Sequence, residues 1–346
     1  MNRAIRFWRA ASAAVALAVG GAAVAQQAAP AAAAPGSNAP PIFVLNSLDA
    51  TISVIDPVTQ TEVQRLATGK EPHHLYLSPD QQTLLVANSV GNSITMVDPR
   101  TAQIRGTIDN IADPYQLRFS PDMKWFVTVA NRMNHVDLYR VTPGTVPGTF
   151  GLALAKRLPA GKTPSHVTID RRSTTAYVSL QDSSEMMAID LATQTTKWVV
   201  PVGKLPADVF LTRDDRTLLT GLTGDAFVEA YDVSGPQPRL IKRIPTGAGA
   251  HAFRAWGDQR HVLVSNRVAN TISRIDMDTL SVVDQYPAPG GPDCMDLTPD
   301  GRYIYVSSRW ARKLTIIDTR SRQVVKQIRV GASPHGVWTL AHAGLQ

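Results

Sequence analysis

A proline-led motif returns along this chain at a near-constant spacing, and that spacing constrains the fold more than any single residue. Pro72, Pro114, Pro164, Pro206, Pro292 and Pro334 each follow a glycine- or turn-rich loop and precede a short apolar run; Ala250 takes the proline's place in Gly247-Ala-Gly-Ala-His251. The intervals are 42, 50, 42, 44, 42 and 42 residues. Seven copies of one unit at this period are the signature of a repeat architecture.

The unit that opens at Gly69 contains four apolar or β-branched runs, 73–77, 83–88, 93–98 and 104–108, with helical periodicity absent. Ser78-Pro-Asp80, Val90-Gly-Asn92 and Asp98-Pro-Arg-Thr101 separate them. Short runs bounded by such turns read as an antiparallel meander of four strands. The turn chemistry recurs at Ser120-Pro-Asp122 and Thr298-Pro-Asp300, where proline presets φ and the aspartate bonds nearby backbone. Asp56, Asp98, Asp190, Asp232, Asp276 and Asp318 end the third strands. Because they belong to the repeat, they are expected to cap turns rather than to catalyse.

Four-stranded units of this length are propeller blades. The fold class expected is therefore all-β, a seven-bladed β-propeller of four-stranded antiparallel blades. The chain enters on a second strand at Ile42 and ends on an innermost strand after Pro334, so the ring is closed by the C-terminal strand, which completes the first blade. The eight extra residues of the 50-residue interval fit an insertion at 141–151 on a blade's exterior.

The second strands read Leu85-Val-Ala-Asn88, Val129-Ala-Asn131 and Tyr305-Val-Ser-Ser308, and the Trp-Asp dipeptide of another propeller repeat is missing. On these motifs residues 41–340 resemble the YVTN family of β-propeller repeat proteins. The resemblance implies, for some relatives, binding of single-stranded nucleic acid. Similar propellers include lactonases and the histidine-ringed copper domain of nitrous oxide reductase, whose second, cupredoxin-like domain has no counterpart here. A propeller fold does not choose among these chemistries.

Residues 1–25 read as a secretory signal: Arg3, Arg6 and Arg9, an apolar run from Ala10 to Val19, and Ala23-Val-Ala25 ahead of Gln26. Residues 26–41 read as an Ala/Pro-rich disordered linker and 42–341 as the propeller domain. The expected location is periplasmic or secreted, with no membrane span after signal removal. Loss of the three signal arginines takes the net charge from +7 to +4. That mildly basic balance and sparse exposed aromatics make nucleic acid a weak expectation as a partner. Cys294 is the sole cysteine, so an internal disulfide is excluded. A monomer is expected.

The loops before the first strand and after the second should emerge on one face, the top. There the residues after the motif prolines converge: His335, His73, Tyr115, Ser165, Ala207, His251 and Asp293, followed by Gly336, His74, Gln116, His166, Asp208, Ala252 and Cys294. Strict alternation would put this second row and the residues two further on along the channel wall, with the apolar row between them turned away. His73, His251, Asp293 and His335 come from four consecutive blades and form a sensible ligand set for zinc or copper. Structural histidines bonding loop backbone are the alternative. Arg132, Arg267 and Arg309 follow second strands at the same mouth, together with Asn46, Asn88, Asn131 and Asn266. A concave mouth lined by His73, His74, Tyr115, Arg132, His166, Asp208, His251, Arg267, Asp293, Arg309 and His335 would concentrate an anion. Two functions remain open from the sequence: a non-enzymatic exported propeller that captures an anionic small molecule or a protein partner at its top mouth, or a lactonase-like, metal-assisted hydrolase.

Overall fold

The computed structural model describes residues 39–145 and 148–341; the expected signal segment and most of the expected linker lie outside the described residues. Seven sheets of four antiparallel strands account for nearly all of them. Numbered from the N-terminus, blade 1 spans 42–67, blade 2 72–109, blade 3 114–159, blade 4 164–201, blade 5 206–245, blade 6 250–287 and blade 7 292–329. The strand Pro334–Thr339 pairs with Ile42–Asn46 and becomes the innermost strand of blade 1, with Phe43 opposite Trp338 and Val44 opposite Val337. It also packs between the innermost strands of blades 7 and 2, which closes the ring. Pro41, placed by sequence at the end of a disordered linker, is buried where blade 1 begins.

Each blade buries both faces against its neighbours, which is why the second strands are continuous apolar runs such as Leu84–Asn88 and Trp125–Ala130. Seven apolar clusters fill the seven blade interfaces; one joins Phe43, Leu45 and Trp338 of blade 1 to Leu84, Val86 and Val97 of blade 2. The outermost strands face solvent and alternate, as in Thr61–Ala67. At the bottom, the repeated aspartates cap turns as their sequence position implies: Asp56 Oδ1 accepts from the amides of Val58 and Thr59, and Asp318 Oδ1 from those of Arg320 and Ser321. The insertion lengthens the outer hairpin of blade 3, strands His135–Pro143 and Phe150–Pro159, which reaches blade 2 where the Thr83 hydroxyl donates to the Gly148 carbonyl.

Candidate metal centre and channel

The innermost strands are Pro72–Leu77, Pro114–Phe119, Pro164–Ile169, Pro206–Leu211, Ala250–Ala255, Pro292–Leu297 and Pro334–Thr339. The residue before each one has a positive φ in all seven blades, from 41° at Asp113 to 80° at Gly249. Immediately afterwards every innermost strand shifts register against its neighbour, as between Pro72, opposite Asn88, and Leu75, opposite Val86. Such a bulge puts two residues opposite one and re-aims side chains. Its effect here is to bring both residues after the motif proline toward the axis, so strict alternation fails at the top of the channel. Lower down, apolar residues of the supposedly hidden row, among them Leu75, Leu117 and Phe253, line the channel beside Tyr76 and Arg118.

Innermost strands of different blades are too far apart to pair, and side chains bridge them instead. Asp208 accepts from the Phe253 amide at 2.8 Å and Asp296 from the Thr339 amide at 2.8 Å. Asp208 is thus a brace below the mouth rather than part of it.

At the top, five imidazoles meet. The His73 ring lies 3.7 Å from that of His335, centroid to centroid, and 3.9 Å from Tyr115. His74 is 4.6 Å from His166 and 4.7 Å from His335, while His251 is 5.8 Å from His166 and 6.0 Å from His335. All five are at least nine-tenths buried. His335 Nδ1 donates to the His73 carbonyl at 2.8 Å, which fixes the tautomer and leaves Nε2 with its lone pair. That Nε2 lies 3.4 Å from Asp293 Oδ1, and His251 Nδ1 lies 3.1 Å from the same oxygen. Neither approach has hydrogen-bonding geometry. Donor atoms of His251, Asp293 and His335 lie within 4.8 Å of one another, and so do those of His73, His74 and His335. The two triads share His335. Cys294 Sγ sits 3.6 Å from its Nδ1.

Burial pushes the pKa of all five histidines below the ordinary imidazole value; at His335 it falls to about 3, and at His73, His74 and His251 well below normal. Arg267 adds to the effect at His251. Burial also opposes charge on Asp293, yet the guanidiniums of Arg267 and Arg309 hold its carboxyl well below the usual range. The Cys294 thiol is pushed well up, by burial first and by Asp293 second. The centre is therefore a set of neutral imidazoles around one carboxylate.

These contacts correct the sequence-based picture of the mouth. Arg267 Nη2 is 2.8 Å and Arg309 Nη1 3.1 Å from Asp293 Oδ2, so both arginines neutralise that carboxylate instead of forming an open cup for an anion. Arg132 is engaged elsewhere, by Asp113 at 2.5 Å and Glu71 at 3.0 Å. Asn46, Asn88 and Asn266 are fully buried, and each donates to a hydroxyl on the third strand, Ser53, Thr95 or Ser273, at 2.9 Å. The expected ligand arc divides: His251, Asp293 and His335 stay together, whereas His73 joins His335 through His74. His74 was not in the expected metal set. The His73-His74 doublet was a visible clue, but alternation puts neighbours on opposite faces and only the bulge overrides it.

Below the centre the channel narrows to a space of about 70 Å³ lined by His74, Asp208 and Cys294. It then widens at the bottom face into a chamber of about 570 Å³, whose walls carry Arg118, Arg171, Arg213 and Arg254 with Tyr76, Phe210 and Phe253. Tyr76, Arg118, Asp208, Phe253 and Arg254 line both spaces.

Residues 1–345 match the family profile of YNCE-like beta-propellers. The chain belongs to that family. The profile carries this family's name rather than that of the YVTN repeats that the strand motifs resemble. No curated protein sequence matches significantly. Among solved structures, the Pseudomonas aeruginosa periplasmic gluconolactonase PpgL is similar at TM-score 0.71 and 18% identity, covering 86% of this chain and 98% of its own. The dihydro-heme d1 dehydrogenase NirN, in complex with DHE, is similar at TM-score 0.64 and 17% identity, covering 89% and 77%. A functionally unknown protein from Desulfotomaculum acetoxidans reaches TM-score 0.73 at 13% identity, covering 86% and 98%. At these identities the shared property is the propeller fold. Among the described residues no helix is long and apolar enough to cross a membrane.

Proposed function

We propose that this protein is an exported propeller that holds a transition-metal ion, copper or zinc, in the histidine centre at the top of its channel. The observation that carries the reading is a set of seven buried polar atoms without a hydrogen-bond partner: His73 Nδ1, His74 Nε2, both ring nitrogens of His166, His251 Nδ1, Asp293 Oδ1 and His335 Nε2. One such atom costs roughly 1–3 kcal/mol, so seven together would consume most of a domain's net stability of about 5–15 kcal/mol. A cation held by His251, Asp293 and His335 would remove that cost at its ligand atoms. Geometry agrees. A tetrahedral ion with ligands at about 2.0–2.1 Å holds its donor atoms about 3.3 Å apart. The separations around Asp293 Oδ1 are 3.1 and 3.4 Å. Neutral imidazole is the form that ligates, and burial keeps it neutral.

The neutral histidines, and the pairing of Arg267 and Arg309 with Asp293, favour this reading over capture of an anion at the same mouth. Hydrolysis of a lactone would be an enzymatic use of such a centre, where an ion held by His251, Asp293 and His335 would supply Lewis-acid chemistry. The space below His74 gives a route to it from the bottom face. Metal analysis of the purified protein, followed by copper(I) and zinc(II) titration against chelators, tests the proposal. Stoichiometric binding tighter than micromolar is expected, weakened at least about a hundredfold by His335→Ala because both triads lose a ligand. Absence of stoichiometric binding of either metal would overturn it.

A further inference from the structure

We propose that the lower chamber is a second binding site, built for an organic anion with a flat apolar body, an aromatic carboxylate being the simplest member of that class. The proposal stands apart from the metal reading, since it rests on other residues at the opposite end of the channel. The chamber's 570 Å³ lies within the usual ligand-pocket range of about 300–1,000 Å³.

Its charges select the sign of the ligand. Arg118, Arg171 and Arg213 line the chamber, and none of the three forms an ion pair among the described residues. The other two wall arginines are occupied: Arg254 by Asp296 at 2.8 Å and Arg260 by Asp276 at 2.5 Å. The carboxylates in the wall are bound to backbone rather than to these cations. Asp208 accepts from the amides of Val209 and Phe253, and Asp215 from that of Arg171. Three lining arginines without an ion pair suit an anion, and the fork geometry of the guanidinium suits a carboxylate.

The rest of the wall selects the body. Tyr76, Phe210 and Phe253 present rings to the chamber, with the last two 6.1 Å apart, centroid to centroid. The Arg118 guanidinium lies 4.9 Å from the Tyr76 centroid and donates through Nε to the Val167 carbonyl at 3.2 Å. It is thereby held as a flat platform against the Tyr76 ring. Rings and a stacked guanidinium favour a planar apolar ligand with its charge at one edge.

The test is calorimetric titration of the purified protein with 2-naphthoate and with its neutral analogue 2-naphthamide. The expected result is binding of the carboxylate with at least about a tenfold preference over the amide, the weight of one charge-assisted hydrogen bond. Arg118→Gln should abolish that preference. So should the Arg171→Gln, Arg213→Gln double variant, whose exposed positions leave folding intact. His335→Ala should leave it unchanged. Equal affinity for the two probes, or no binding of either, overturns the proposal. So does a preference that survives all the arginine variants, or one that His335→Ala removes while the arginine variants do not.

Discussion

The two ends of the channel are built from the same seven strands and behave in opposite ways. At the top, the positive-φ residue and the bulge bring two side chains per strand to the axis, and the rings pack within 3.7–6.1 Å of one another. Charges there are paired: one carboxylate lies between two arginines, with neutral imidazoles around it. At the bottom the strands carry no such bulge, the walls stand back, and three guanidiniums remain without a carboxylate. One repeat thus yields a closed, ion-paired centre at one end and an open chamber with unpaired arginines at the other. The difference lies in a single extra residue per strand and in where the acidic residues fall.

The strand common to both ends gives the largest effect. Deleting the chain after Val330 removes His335 from the top and Val337 and Trp338, both buried, from the interfaces with blades 7 and 2. A single large apolar loss costs roughly 2–5 kcal/mol. We therefore expect the truncated protein to lose cooperative thermal unfolding, metal binding and naphthoate binding together. Survival of the wild-type melting temperature would refute ring closure by this strand.

Acid should separate the two ends. The five cluster histidines have depressed pKa values in the folded protein, while in the unfolded chain they titrate near about 6.5. Below that pH the unfolded state binds protons that the folded state refuses. The apo protein's stability is then complete above about pH 6.5 and falls as pH drops, by up to about 1.4 kcal/mol per pH unit for each histidine. Asp293 works in a lower window, since its depressed pKa is felt only near and below the ordinary carboxylate value. Denaturant melts at pH 7 and pH 5 should differ by several kcal/mol without metal and by less with it. Naphthoate affinity should stay level over the range where the protein remains folded. A flat stability profile would mean that the cluster is not buried in solution.

Charge removal provides the smallest contrast. Asp293→Asn leaves Arg267 and Arg309 facing each other without their partner, and breaking a buried pair in this way costs about 3–5 kcal/mol. Arg213→Gln, at an exposed and unpaired position, should change stability by no more than about 0.5 kcal/mol. Equal losses in chemical denaturation would erase the distinction between a paired top and an unpaired bottom.

Much of this molecule was legible in its sequence, for reasons that are local. The spacing of the motif prolines counts the blades, because each unit is one meander whose turns need Pro, Gly and Asp at fixed offsets. The orphan second strand at Ile42 and the orphan innermost strand after Pro334 announced the closure. The residue after each motif proline opens an innermost strand, and that position alone puts His73, His251, Asp293 and His335 at the same end of their blades. Tertiary structure decided the rest. A bulge depends on backbone register against the next strand, so no alternation rule could bring His74 beside His335. Whether Arg267 and Arg309 are free donors depends on one carboxylate, Asp293, which belongs to the next blade for Arg267 and to the innermost strand of the same blade for Arg309, and which packing brings within 2.8–3.1 Å of both. The lower chamber likewise arises where the strands stand back from the axis, a property of seven sheets packed together rather than of any segment among them.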